Sequence, residues 1–103
     1  MHFDPFEEYE RGQELRQREE RRIARIDDAA RSVMSTAKGR RFIAHFLDVL
    51  GLEAQTWHAD PLEIAAATAK RDAAQVIAKY LEALVPDDWD TLRKEKRNDR
   101  NDD

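Results

Sequence analysis

Apolar side chains enter this chain late and in a regular pattern. Residues 7–22 carry only Tyr9 and Leu15 as apolar groups; Ile23, Ile26, Ala30, Val33 and Ala37 then follow at steps of 3, 4, 3 and 4. That is the spacing of a helix seam, although it lasts only about two heptads against the three to four that define a coiled coil. The stretch predicts one long helix from Glu7 to Arg31, with the acid-before-base pairs Glu7–Arg11, Glu14–Arg18 and Asp27–Arg31 at i,i+4. Each such pair contributes about 0.3 kcal/mol to an isolated helix. Gly12 costs about 1 kcal/mol relative to Ala, so the first two turns are expected to fray behind an extended start over residues 1–6. A helix this polar either projects into solvent or meets a partner. If it oligomerises, Ile23, Ile26, Ala30 and Val33 are the expected seam.

The remaining pattern predicts three more helices. Ser35 or Thr36 is placed to cap the second, accepting from its free N–H groups. Phe42, Ile43, Phe46, Leu47 and Leu50 then form a broad stripe, and Gly51 stands where a left-handed residue ends a helix. A stretch without periodicity, Leu52 to Ala59, holds Trp57 and His58. Asp60-Pro61-Leu62-Glu63 is a strong helix start, combining a cap, a proline at the first position and an acid in the first turn. The third helix runs from there to about Leu84. Its first half is rich in alanine (Ala65, Ala66, Ala67, Ala69), and its second half is expected to bury Val76, Ile77, Tyr80, Leu81 and Leu84. Pro86 stops it, and Asp87 to Leu92 start a short fourth helix. From Arg93 the charges alternate without an apolar residue, and a disordered tail is expected there. The expected organisation is an extended start and charged arm over 1–31, a compact helical domain over 32–95 and a disordered charged tail over 96–103. The fold class is all-α: a long N-terminal helix plus a compact helical hairpin closed by a short C-terminal helix.

Composition narrows the function without naming it. Of 103 residues, 39% are charged and only 8% aromatic, with three glycines and three prolines. This suits solvated helices and not sheets, which favour β-branched and aromatic residues. There is no cysteine, which removes disulfides and thiolate metal sites. No run approaches the ~20 apolar residues of a membrane span, and Met1-His2-Phe3-Asp4-Pro5 lacks the features of a signal peptide. A soluble protein made in the cytoplasm is therefore expected, with no membrane partner. Eighteen basic and twenty-two acidic side chains give a net charge of −4. That balance argues against wholesale nucleic-acid binding and leaves room for one local basic patch.

One such patch opens the second helix. Lys38, Arg40 and Arg41 stand where the helix dipole disfavours cations. Free N–H groups and three cations make an anion site, suited to DNA phosphate or to a partner's carboxylates. The alternative is that Arg41 pairs internally with Asp72 or another acid, while Lys38 and Arg40 are solvated. His2, His45 and His58 do not converge as the three or four ligands of a zinc site, so no metal and no cofactor is expected. No Ser/His/Asp arrangement and no phosphate loop is present, so no enzyme activity is expected either. Of the two tryptophans, Trp89 is the expected docking anchor, since the acids around it offer little apolar shelter in sequence.

Two short stretches carry a family resemblance. Ser35-Thr36-Ala37-Lys38-Gly39-Arg40-Arg41 leads into a helix holding Phe42 and Leu47; later Arg71-Asp72 leads to Leu81, Leu84 and the turn at Pro86. Over roughly residues 32–95 this resembles the small tailed-phage domain family named after protein nineteen of a Bordetella phage. The chain departs from that pattern in having Ala69-Lys70 where a glycine precedes the second basic pair. The resemblance implies a phage or prophage gene in the head and packaging neighbourhood, with no activity attached. It favours an internal salt bridge of Arg71 and Asp72 over a merely solvated face. The function it implies is a non-enzymatic structural or assembly protein that docks on a larger head, portal or packaging component, in the host cytoplasm or incorporated in the virion. The alternative is a DNA-packaging adaptor resembling a small terminase subunit, touching nucleic acid weakly through Lys38, Arg40 and Arg41. Against it, the loop between the second and third helices is too long for a helix-turn-helix.

Overall fold

All three prolines of the chain stand at the first position of a helix, where the missing N–H is harmless and φ is already set. The computed structural model describes residues 4–54 and 60–101. Four helices follow in order: α1 (Pro5–Met34), α2 (Ala37–Val49), α3 (Pro61–Leu84) and α4 (Pro86–Asn101), with no strand among the described residues. Asp4 caps α1 by accepting from the Phe6 N–H at 2.9 Å, and Asp60 caps α3 by accepting from the Leu62 N–H at 2.9 Å. The extended start expected over residues 1–6 is corrected at residues 5 and 6, which are helical because Asp4-Pro5 is the same signal as Asp60-Pro61; residues 1–3 lie outside the described residues. Gly12 does not interrupt α1.

Helix α2 has no proline and is capped by Thr36, whose Oγ1 accepts from the Gly39 N–H at 3.0 Å. It ends as its glycine demands. Gly51 has φ +79°, its N–H donates to the Asp48 carbonyl at 2.9 Å, and the Leu52 N–H reaches back to the Leu47 carbonyl at 3.1 Å. This paired closure satisfies carbonyls that would otherwise be left free at the helix end.

The chain divides into two units, residues 1–30 and 31–103. In the first, no described residue is buried, and Phe6, Tyr9, Leu15, Ile23 and Ile26 are all exposed. An exposed ion pair, Arg22 to Glu19 at 2.6 Å, lies along its surface. The second unit holds the core: Met34, Leu47, Ala74, Ala78, Leu81, Trp89 and Leu92. Helices α2 and α3 both pack chiefly against α4, which makes the closing helix the hub of the body.

That role of α4 explains three departures from expectation. Trp89 is 7% exposed, so it is a core residue and not an exposed anchor; its shelter comes from other helices and not from its neighbours in sequence. On α3 the buried residues are Ala74, Ala78 and Leu81, while Val76, Ile77 and Tyr80 remain exposed. Small side chains let helices approach closely, and of the alanines on α3 only Ala74 and Ala78 are buried. The segment expected as a disordered tail continues α4 as helix to Asn101. It does so through charge and not apolar burial, as shown next. Trp57 and His58, like His2 and Phe3, lie outside the described residues.

Candidate functional site

The basic start of α2 is divided between structure and surface. Gly39 sits against the last turn of α1, where a Cβ would lie 1.8 Å from the Val33 carbonyl oxygen. Only glycine permits that approach. The corner brings Arg40 under the end of α1. Its Nη1 donates to the Met34 carbonyl at 3.0 Å and its Nε to Glu95 Oε1 at 2.8 Å, and its side chain is 13% exposed. A cation at a helix C-terminus satisfies an orphan carbonyl and complements the dipole. Arg40 is thus a clamp between α1 and α4, which corrects its assignment as a partner or phosphate contact. Arg41 is exposed and only loosely paired, 3.9 Å from Asp99. Lys38 is exposed.

The same corner also uses up N–H groups that an anion would need. The Gly39 N–H is taken by the Thr36 hydroxyl, and the Arg40 N–H donates to the Thr36 carbonyl at 3.0 Å. Of the three cations, Lys38 and Arg41 stay available, and Arg40 does not.

Helix α4 is fastened to α2 and the turn beyond it by further charges. Lys96, largely buried, bonds Asp48 through its ammonium group and lies 3.6 Å from Glu53. It lines a hollow together with Trp89, Leu92 and Leu52, where a long basic side chain can cover apolar surface with its stem. Arg100 donates to Glu53 at 2.6 Å. That hydrogen bond, with Lys96 adding to it, holds the Glu53 carboxyl below its usual range despite some opposing burial. Asp48, Lys96 and Arg100 line an open groove of about 290 Å³ between α2 and α4, together with His45 and Asp99. Its charges are mixed and mutually paired, and no cluster of metal-binding side chains occurs among the described residues.

The apolar counterpart lies on the other side of α2. Phe42 and Phe46 are 60% and 50% exposed, with ring centroids 5.8 Å apart and planes tilted by 43°. With Ile43, Leu47 and Ile77 they line an open hollow of about 220 Å³ that presents no polar surface. Val49, one further turn along α2, is also exposed. The broad stripe of α2 is only partly buried. It is two residues wide, and only the half containing Leu47 meets α4. The other half, Phe42–Phe46–Val49, stays exposed. Stripe width in the sequence was the available signal, since a 13-residue helix packed on one partner cannot bury so broad a face.

The other expected residues are placed as follows. Ile23, Ile26 and Val33 are exposed on α1, and Ala30 is half-buried. Arg71 and Asp72 do not form a bridge among the described residues; Arg71 Nε is buried without a partner and Asp72 is exposed. Adjacent positions on a helix point about 100° apart and do not face each other. Nor does Asp72 meet Arg41, whose acid is Asp99. Among the described residues no helix is long and apolar enough to cross a membrane. Comparison with protein-family models, with curated proteins and with solved structures finds no match to this chain.

Proposed function

We propose that this chain is a non-enzymatic assembly protein of a phage or prophage, whose helical body docks on a larger head, portal or packaging component. The phage setting rests on the resemblance of residues 32–95. The docking role rests on one observation: the hollow of Phe42, Ile43, Phe46 and Ile77, open and without polar surface on an otherwise highly charged protein. Contiguous apolar surface on a soluble domain marks an interaction site, and half-exposed aromatic pairs are the usual anchors of such sites. Two phenylalanines about half exposed leave roughly 200 Å² to be covered. At ~25 cal/mol per Å² this supplies about 5 kcal/mol of gross driving force, before the ordering costs of association.

The arm, with Ile23, Ile26, Ala30 and Val33, serves in this reading to reach a second partner in the assembly. Its seam is short for self-association, and a longer one exists on α3. The packaging-adaptor alternative draws less support, because Arg40 is committed to Met34 and Glu95. Two remaining cations would give a salt dependence of binding no steeper than about −2 on a log–log plot.

The test is titration of the purified chain against the head, portal and packaging proteins encoded beside it. One of them is expected to bind, and Phe42→Asp with Phe46→Asp is expected to weaken that binding by about 100-fold or more, since each charge would be buried without a partner. Circular dichroism should show the double variant folded. Binding that survives both changes, or no binding to any of these proteins, overturns the proposal.

A further inference from the structure

Helix α3 carries a second apolar row, exposed along its length. Leu62, Ala66, Ala69, Ala73, Val76, Tyr80 and Ala83 follow at steps of 4, 3, 4, 3, 4 and 3. All seven are exposed, Val76 by 69%. The row spans three heptads, one more than the α1 seam. The row faces away from the buried face of Ala74, Ala78 and Leu81, so α3 has two apolar faces and α4 covers one of them.

We infer that the second face pairs with the same face of another copy of this chain, with the two α3 helices antiparallel. Size sorts the orientation. Between the end residues Leu62 and Ala83 the row is small first (Ala66, Ala69, Ala73) and then large (Val76, Tyr80). A parallel pair would oppose small to small at one end and large to large at the other, and the helices would splay. An antiparallel pair opposes Ala69 of one copy to Tyr80 of the other and Ala73 to Val76, which keeps the spacing even over the four central layers. Alanine at half of these positions lets the backbones approach closely, within the range of ordinary helix packing.

Charge points the same way. The exposed residues flanking the row on its outer side include Asp72 and Lys79. In the antiparallel register they oppose each other across the interface, and two-fold symmetry makes the pair twice. In the parallel register Asp72 would face Ile77 and no ion pair would form. Among the described residues neither Asp72 nor Lys79 has an ion-pair partner within its own chain. The Phe42–Phe46 hollow adjoins this surface at Ile77, but Val76, Asp72 and Lys79 do not line it, so changes at these three test the dimer apart from the docking role.

The experiment is sedimentation of the full chain from about 5 to 500 µM, a range that brackets a micromolar dissociation constant. A reversible dimer is expected. Val76→Lys places two charges at the centre of the contact and should raise the dissociation constant by about 100-fold or more, without loss of helicity, because Val76 is exposed in the monomer. Asp72→Lys alone should raise it by about tenfold, since two pairs become two repulsions. Asp72→Lys with Lys79→Asp should return it to within about threefold of the original. Ile23→Lys with Ile26→Lys should leave it unchanged. The chain has no cysteine, so orientation can be read by disulfide trapping. Ala66→Cys with Ala83→Cys should cross-link, whereas Ala66→Cys alone should not, the two copies of residue 66 being ~25 Å apart along the axis. A monomer at every concentration overturns the inference, as does a dimer indifferent to Val76→Lys, and so does a cross-link formed by Ala66→Cys alone.

Discussion

Replacing Arg40 by alanine should unfold this protein more readily than any change to the cations beside it. Arg40 makes two charge-assisted hydrogen bonds, to the Met34 carbonyl at 3.0 Å and to Glu95 at 2.8 Å, from a side chain that is almost out of solvent. Bonds of this kind contribute about 1.5–3 kcal/mol when a charged group is involved. The Met34 bond carries most of it, because Met34 is fully buried and its carbonyl ends a helix. Glu95 is partly exposed and can be rehydrated, so its share is discounted. Favourable placement of a cation at a helix C-terminus adds roughly 0.3–1 kcal/mol. The total expected loss is about 2–3 kcal/mol, or a fall in Tm on the order of 10–15 °C for a domain of this size. Arg40→Lys keeps the charge but not the fork of donors, and should recover less than half of that loss. Lys38→Ala touches nothing in the fold and should stay within about 0.5 kcal/mol. Urea denaturation followed by circular dichroism reads all three, with an unchanged slope confirming that stability alone has moved. An Arg40→Ala protein as stable as the original would refute the assignment of this residue to the fold and return it to the surface patch.

Other consequences are as direct. Trp89→Ala should cost about 3–5 kcal/mol, as for a large buried aromatic, and an exposed anchor would instead cost almost nothing on thermal melting. Glu53 has a depressed pKa in the folded chain, so its contribution is complete above its usual value of 4.5 and is lost as pH falls through the lower folded value. Hydrogen exchange at residues 96–100 should therefore quicken below about pH 4.5, and Glu53→Gln should bring faster exchange at neutral pH and flatten this dependence. Gly39→Ala should destabilise severely, because a Cβ there meets backbone and not a movable side chain; a melting temperature within a few degrees of the original would show that the corner of α1 and α2 can open.

The helix boundaries were legible in the sequence wherever a local signal sets them. Asp60-Pro61, Thr36, Gly51 and Pro86 act through their own backbone conformation and nearest neighbours, so their roles need no tertiary information. The all-α class and the long first helix followed from the same signals. What the sequence concealed was which apolar residues have neighbours. Trp89 stands among acids in sequence and within the core in space. Phe42 and Phe46 share a stripe with Leu47, and only Leu47 is covered. The end of α4 has no apolar residue, and its helix is held by Lys96 and Arg100 reaching Asp48 and Glu53, some 47 to 48 residues away in sequence. Pairings at that separation leave no periodic trace. In the candidate site, the three-cation cluster was visible as a cluster, but the division of labour within it depends on the corner that Gly39 permits.

The central claim is that the body of this protein docks on a phage assembly component through the Phe42–Phe46 face of α2. Cross-linking mass spectrometry of purified particles and their assembly intermediates tests it most directly. The chain should be present, with cross-links from Lys38 at the start of α2 to a head, portal or packaging protein, and those cross-links should vanish in a Phe42→Asp, Phe46→Asp background while the variant remains folded. Absence of the chain from particles and intermediates alike, or cross-links that persist in the double variant, would contradict it.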